Sequence, residues 1–374
     1  MLKRLFLTLF SVCVLSACQT QEQRDTAFDL NNALGGADTA GFARATEARS
    51  FQFPTDHSAH PEFRNEWWYI TGNLQTATGR AFGYQVTLFR IALTPTPPQS
   101  ASVWATNQVW MGHVALTDVQ AAEHVFAERF ARGAAGLAGQ SLQPFRVWLE
   151  DWQIQGQAQG EFPWQVQVKT ADFSLDLSLD RSQPPVLQGE QGLSQKSSAS
   201  GNASYYYSLP RLRTQGTVQH QGESFVVTGE SWLDREWSTS VLGDDQAGWD
   251  WFSLQLHAGP SVMFYRLRHH DGSADTRHSQ GKWITAAGQA STLSLEDVEL
   301  KPLRYWESPE GVSYPVAWSM QLPKRQQSWR VEAVLDSQLM QTSVPYWEGA
   351  VRVLDADSGE ALGVGYLEMS GYER

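Results

Sequence analysis

From residue 51 to the end, the chain is broken into short aromatic and β-branched runs, each stopped by Gly, Pro, Asp or Asn. Examples are AFGYQVTLFRIAL, PWQVQVKT, FSLDLSLD, SFVVTGESWL, SVMFYRLRHH and WRVEAVL. Many alternate apolar with polar residues, and turn-forming stretches such as TATGR, HAGPS and DADSG separate pairs of them. Such a pattern specifies antiparallel sheet nearly throughout, organised as barrels or sandwiches. Helical spacing is confined to 121–131, AAEHVFAERFA, and to LEDVEL at 295–300, where short helices are expected.

The stretch EWWYITGN at 66–73 poses the main question, because adjacent strand residues point to opposite faces and Trp67 and Trp68 cannot share a core. It is echoed at 250–257, DWFSLQLH, and each copy is followed by a turn and an aromatic strand ending in arginine. Two related domains are therefore expected. In each copy one phase is apolar (Trp68, Ile70, Leu74; Phe252, Leu254, Leu256), with a bulge expected at Gly72. The other phase mixes aromatic with hydroxyl and amide groups (Trp67, Tyr69, Thr71, Asn73; Trp251, Ser253, Gln255, His257). A face bare to water alternates with charge, and neither phase does. One fits a core, the other a partly polar cavity, a barrel lumen or a contact between domains.

Glu66 and Asp250 fall in the apolar phases, where a lone charge is costly, and arginine partners are expected: Arg64 or Arg90 in the first copy, Arg266 or Arg268 in the second. The Gly, Ser and Gln-rich stretch 188–204 reads as a linker or as a loop over a site.

The N-terminus bears on location. Lys3 and Arg4 precede an apolar run, Leu5 to Leu15, too short to span a bilayer, so residues 1–17 are expected to be a secretory signal. Leu15-Ser16-Ala17-Cys18 resembles the bacterial lipobox, which implies lipidation of Cys18, and Gln19 in place of aspartate implies the outer membrane, facing the periplasm. A plain signal cleaved after Ala17 is the alternative. Residues 18–50 are expected to be a flexible leash. With Cys13 in the signal and Cys18 acylated, neither disulfides nor cysteine chemistry are available to the body. The net charge of −12 falls to −14 when the two positive charges Lys3 and Arg4 leave with the signal. An acidic chain without a basic run disfavours nucleic acid and anionic membrane surfaces as partners, so the tether is lipid rather than charge.

Larger blocks carry a family resemblance: HPEFRNEWWYITGNL at 60–74, FGYQVTLFR at 82–90, YYYSLPRLRTQGTV at 205–218, GESWLDREW at 229–237, GWDWFSLQL at 248–256, and the ending YWEGAVRV with GVGYLEMSGY. With these the chain resembles the lipocalin-like family that includes the bacterial attachment-operon protein AttH and the carotenoid 1,2-hydratases, and is more similar to the AttH-type branch. The resemblance implies an all-β fold of two lipocalin-like antiparallel β-barrels packed side by side. We place them at 51–200 and 201–374. It further implies an apolar small molecule or lipid as partner, no cofactor, and, for the AttH type, an ABC-type transport system with its permease nearby.

The segment 225–237, FVVTGESWLDREW, is the strongest candidate for chemistry. Period two puts Glu230, Trp232, Asp234 and Glu236 on one face, with carboxyls on either side of an indole. A carboxyl against an aromatic wall, near a second carboxyl, stays protonated toward neutral pH. Asp234 is thus the candidate general acid for protonating an alkene, with Trp232, Tyr207 and Glu230 as companions. Resemblance to the hydratases implies the same acid. The competing reading pairs Asp234 and Glu236 with Arg235, Arg211 or Arg213 as ordinary ion pairs. Trp67, Tyr69, Trp249, Trp251 and Tyr265 are the expected ligand-binding residues. A binding module and a hydro-lyase or isomerase both remain open.

No metal site is expected. His57 and His60 lack a third ligand and read as solvated or supporting residues, and His269-His270-Asp271 with Asp275 reads as a surface turn. Gly229-Glu230-Ser231-Trp232 lacks the last glycine of a nucleophile elbow, and no phosphate loop or Rossmann unit is present.

Overall fold

The computed structural model describes residues 39–158, 161–240 and 242–372. The expected signal, Cys18 and the leash up to residue 38 lie outside these residues. The end of the expected leash is docked: Ala45 is buried, Ala43 N–H bonds the Glu62 carbonyl at 2.9 Å, and the Tyr205 hydroxyl donates to the Glu47 carbonyl at 2.9 Å.

The fold is two curled, nearly closed antiparallel sheets, each a barrel-like domain, with strands numbered in chain order. The first sheet begins at its edge with β4 (Glu123–Arg132), β3 (Gln108–Asp118), β2 (Ala81–Ala92) and β1 (Asn65–Gln75). It continues through β13 (Glu223–Ser238), β12 (Ala203–His220), β9 (Phe173–Arg181) and β8 (Trp164–Lys169). It ends with β7 (Trp152–Gln155), β6 (Phe145–Leu149) and β5 (Ala138–Leu142), while β10 (Val186–Leu187) and β11 (Leu193–Gln195) pair with β12. The second sheet runs β17 (Ala290–Ser294), β16 (Gln280–Ile284), β15 (Ser261–His269), β14 (Gln246–Leu256) and β23 (Ala361–Met369). After these come β22 (Tyr346–Asp355), β20 (Gln327–Ala333), β19 (Ser313–Leu322) and β18 (Glu299–Glu307), with β21 (Leu339–Met340) on β22.

The sheets change over between Ser238 and Gln246, not at residue 200. β12 and β13, expected in the second domain, are hydrogen-bonded to β9 and β1 of the first. Nor is 188–204 a linker, since β11 pairs with β12 and Gln188 is fully buried, donating to Ser208 Oγ at 2.8 Å.

The two expected helices are absent. Residues 123–132 form β4, whose alternation was legible in EHVFAERFAR: Val125, Ala127 and Ala131 pack on the first core, and the intervening side chains face away from it. Of 295–300, only Leu295–Asp297 makes a single turn, closed by reciprocal Ser294 and Asp297 hydrogen bonds, before β18 begins.

The echoed strands hold equivalent places, β1 between β2 and β13, and β14 between β15 and β23. Trp68, Ile70 and Leu74 enter the first core; Phe252, Leu254 and Leu256 enter the second. β1 pairs in unbroken register through Gly72, so there is no bulge and Leu74 reaches the core by plain alternation. Gly72 is a close approach instead: a Cβ there would lie 2.4 Å from the Tyr84 ring and 2.5 Å from Ser231 Oγ.

Both lone acids are neutralised by arginines. Glu66 bonds Arg90 and Arg235, all three buried, and the Arg235 guanidinium lies 3.8 Å from the Trp68 ring centre. Burial alone would raise the Glu66 carboxyl, but Arg90 and Arg235 together hold it well below the usual carboxylate range. Asp250 bonds Arg266 at 2.7 Å and Arg268 at 3.3 Å. His57 and His60 are buried rather than solvated. His57 Nδ1 meets the Tyr207 hydroxyl at 2.6 Å, and the His60 ring stacks on Trp237 at 3.7 Å.

Candidate functional site

The mixed phases of β1 and β14 face each other. Along part of their length they seal the contact: Asn73 Nδ2 donates to the Gly365 carbonyl at 3.1 Å, and Gln255 Nε2 donates to the carbonyls of Pro210 at 2.8 Å and Ser231 at 3.1 Å. Further on, the two sheets part around a cavity of about 150 Å³. That is room for on the order of ten water molecules, or one compact organic ligand.

The first sheet supplies Trp67 and Tyr69 from β1, Phe89 from β2, Met111 and His113 from β3, and Asp234 and Glu236 from β13. The second supplies Trp249 and Trp251 from β14, Tyr265 and Leu267 from β15, Tyr346 from β22 and Glu368 from β23. All five expected ligand-binding residues, Trp67, Tyr69, Trp249, Trp251 and Tyr265, line it. The Tyr69 and Trp251 rings meet edge to face at 5.2 Å.

Asp234 lies on this wall. It accepts hydrogen bonds from the Tyr206 hydroxyl, from Ser208 Oγ, and from Trp232 Nε1 at 2.7 Å, while Trp251 Nε1 donates to the Tyr206 oxygen at 3.1 Å. Burial pushes its carboxyl up to about 7 against the pull of those three donors. Trp232 stands behind the acid as its donor. Neighbouring Glu236 accepts from Ser204 and meets the Lys196 ammonium at 3.3 Å. Burial would lower Lys196, but the Glu236 charge outweighs it and holds the ammonium charged, 4.3 Å from the Tyr265 ring centre.

Two expected site residues lie elsewhere. Tyr207 belongs to the opposite phase of β12 and points into the first core, bonded to His57; its neighbour Tyr206 faces Asp234. Glu230 shares a face with Asp234 but sits farther along β13, outside the cavity, where it pairs with Arg211. The arginine pairing considered for Asp234 and Glu236 is not made either: Arg235 goes to Glu66, Arg211 to Glu230, and Arg213 to Asp180 at 2.6 Å.

The second sheet adds two acids that the sequence pattern does not single out. Glu348 and Glu368 stand directly opposite one another on β22 and β23. Glu348 accepts from the Tyr69 hydroxyl at 2.8 Å, and Glu368 from Trp249 Nε1 at 2.6 Å. Burial pushes Glu368 up to about 7, and burial with the Glu368 charge pushes Glu348 well above the carboxylate range. The available signal was a lone glutamate in each of two aromatic strands, YWEGAVRV and GYLEM. Among the described residues no three His, Cys, Asp or Glu side chains converge as a metal site.

The family model described as AttH-like matches residues 44–372. A crystal structure of an AttH protein from Nitrosomonas europaea is 34% identical, covers 89% of this chain and 100% of its own, and superposes with a TM-score of 0.78. Kievitone hydratase from Nectria haematococca, 14% identical, covers 88% of this chain and 98% of its own at a TM-score of 0.64. CghA, 10% identical, covers 89% and 97% at 0.52. Both show a shared fold. No curated protein matches the chain.

Proposed function

The chain belongs to the AttH-like family, and on that premise we propose that it binds a hydrophobic small molecule, isoprenoid or lipid-like, between its two sheets. One observation carries this reading: the cavity is walled by indole, phenol and aliphatic groups from both sheets, with few polar atoms. The experiment is native purification followed by mass spectrometry of co-extracted lipophiles, together with titration by diphenylhexatriene. A co-purifying isoprenoid or saturable probe binding is the expected result; a preparation free of lipophiles that also fails to bind the probe overturns the reading.

We place this activity at the cell envelope, with the chain anchored through Cys18 in the outer membrane beside an ABC-type permease. The lipobox-like Leu15-Ser16-Ala17-Cys18 supports the anchor. Cys18→Ser is expected to abolish partitioning into detergent, and persistent membrane association argues against it.

A second reading is favoured by Asp234 itself, an acid that titrates near neutrality at the edge of an aromatic cavity. It would protonate an isoprenoid C=C, the aromatic faces would stabilise the cation, and water would add to that cation and return a proton to the Asp234 carboxylate. The fold shared with kievitone hydratase adds no residue assignment at 14% identity. In this reading Asp234→Asn loses turnover while ligand is still captured; equal turnover in variant and wild type refutes it.

A further inference from the structure

The cavity is lined by more carboxyl groups than cationic ones. Asp234, Glu236 and Glu368 line it, and among the described residues the one lysine or arginine on its walls is Lys196, already committed to Glu236 at 3.3 Å. His113, also on the wall, is bound by Glu128 at 2.8 Å and by the Tyr346 hydroxyl at 2.9 Å. Glu368 is enclosed by neighbours yet keeps surface open to the cavity, and its partners are an indole N–H and another carboxyl rather than a cation.

Glu348 is fully buried, and its Oε2 meets no N–H or O–H donor among the described residues. The group across from it is the Glu368 carboxyl, which satisfies that oxygen only when a proton lies between the two. A pair sharing one proton still carries one negative charge, and a shielded charge without a counter-ion is costly. Trp249 donates to Glu368, Trp251 is its direct cross-strand neighbour, and Trp67 lines the same cavity; the face of an indole attracts positive charge.

We propose that the cavity selects an apolar ligand bearing a positive charge, a tertiary or quaternary amine on a hydrocarbon or polyene body, with Glu368 as its counter-ion and the three indoles as its walls. This rests on the binding reading above and adds the charge of the guest. A quaternary ammonium needs no acceptor for N–H protons, so ring faces and a single carboxylate suffice for it. Anionic lipids are disfavoured by the same charge.

The test uses the full chain at mildly alkaline pH and two probes that share one polyene body: neutral diphenylhexatriene and its trimethylammonium derivative. Binding is followed by energy transfer from the protein's tryptophans. The ammonium probe is expected to bind about tenfold or more tightly, equivalent to ~1.4 kcal/mol. Glu368→Gln is expected to collapse the ratio of the two affinities to about one. Glu368→Met removes the same charge at similar side-chain length and provides a second variant for the same ratio should the first be poorly folded. Equal affinities in wild type, or a ratio preserved in both variants, overturn the charge selectivity while leaving the binding reading intact. Failure of both probes to bind overturns the binding reading and this one with it.

Discussion

Tyr69 and Asp234 are direct cross-strand neighbours on β1 and β13, yet the Tyr69 hydroxyl donates 2.8 Å away to Glu348 of the other sheet. The phenol thus fastens the two domains beside the cavity, and it leaves Asp234 to donors on β12 and β13. Tyr69→Phe keeps the ring but deprives Glu348 of its one donor among the described residues. A loss of about 1–3 kcal/mol is expected, the cost of an unsatisfied buried acceptor, measured by guanidinium denaturation.

The adjacent tryptophans should separate cleanly by phenotype. Trp68 is fully buried, stacked on Trp110 at 5.8 Å and covered by Arg235, so Trp68→Ala is expected to cost about 3–5 kcal/mol. Trp67 is only part-buried and faces the cavity. Trp67→Ala should weaken diphenylhexatriene binding several-fold, with a much smaller fall in the denaturation midpoint. Reversed phenotypes would contradict the assignment of the two faces.

Glu66 is the shared anion of two buried guanidiniums. Glu66→Gln leaves Arg90 and Arg235 without their carboxylate, and a loss of about 3–5 kcal/mol is expected from the uncompensated charge. Asp250→Asn should be milder, because Arg266 keeps contact with solvent. A comparison of the two midpoints decides it.

Asp234 and Glu368 make stability depend on pH in a defined direction. Their carboxyls sit at about 7 in the fold against ordinary values of 3.8 and 4.5, so the native state holds protons that the unfolded chain has released. Their contribution is fully present below the unfolded values, falls as pH rises toward 7, and levels off above it. His57 and His124, lowered to about 3 and about 4 chiefly by burial, act oppositely across much of that window. The diagnostic is therefore a difference: the double variant Asp234→Asn with Glu368→Gln should gain stability relative to wild type as pH rises through the window. A constant offset would refute the shifted carboxyls.

Much of this architecture was legible because strand alternation carries one bit per residue. The alternation assigned Trp68 and Phe252 to cores, and Trp67 and Trp251 to the opposite face, where the structure places them. It failed where position along a strand mattered rather than phase: Glu230 has the same phase as Asp234 but lies past the end of the cavity. Tyr206 and Tyr207 differ in phase, but three successive tyrosines offer no contrast until the register Ser208 opposite Asp234 is known. The helix expected at 121–131 reflects composition, since the pairing of β4 with β3 overrides the local helical preference of Ala and Glu. Glu348 and Glu368 escaped notice because a carboxyl pair separated by a hairpin is a tertiary fact, invisible to any local window.

The hollow is nobody's interior: each sheet packs its own core, and the guest's walls exist only while the two halves stay together. Whatever binds there is therefore a clasp between two halves already joined by a shared apolar cluster that includes Tyr69, Trp232, Trp251 and Tyr366. By mass action its occupancy should hold the halves together, so a calorimeter trace would report the guest as a rise in unfolding temperature that grows with its concentration.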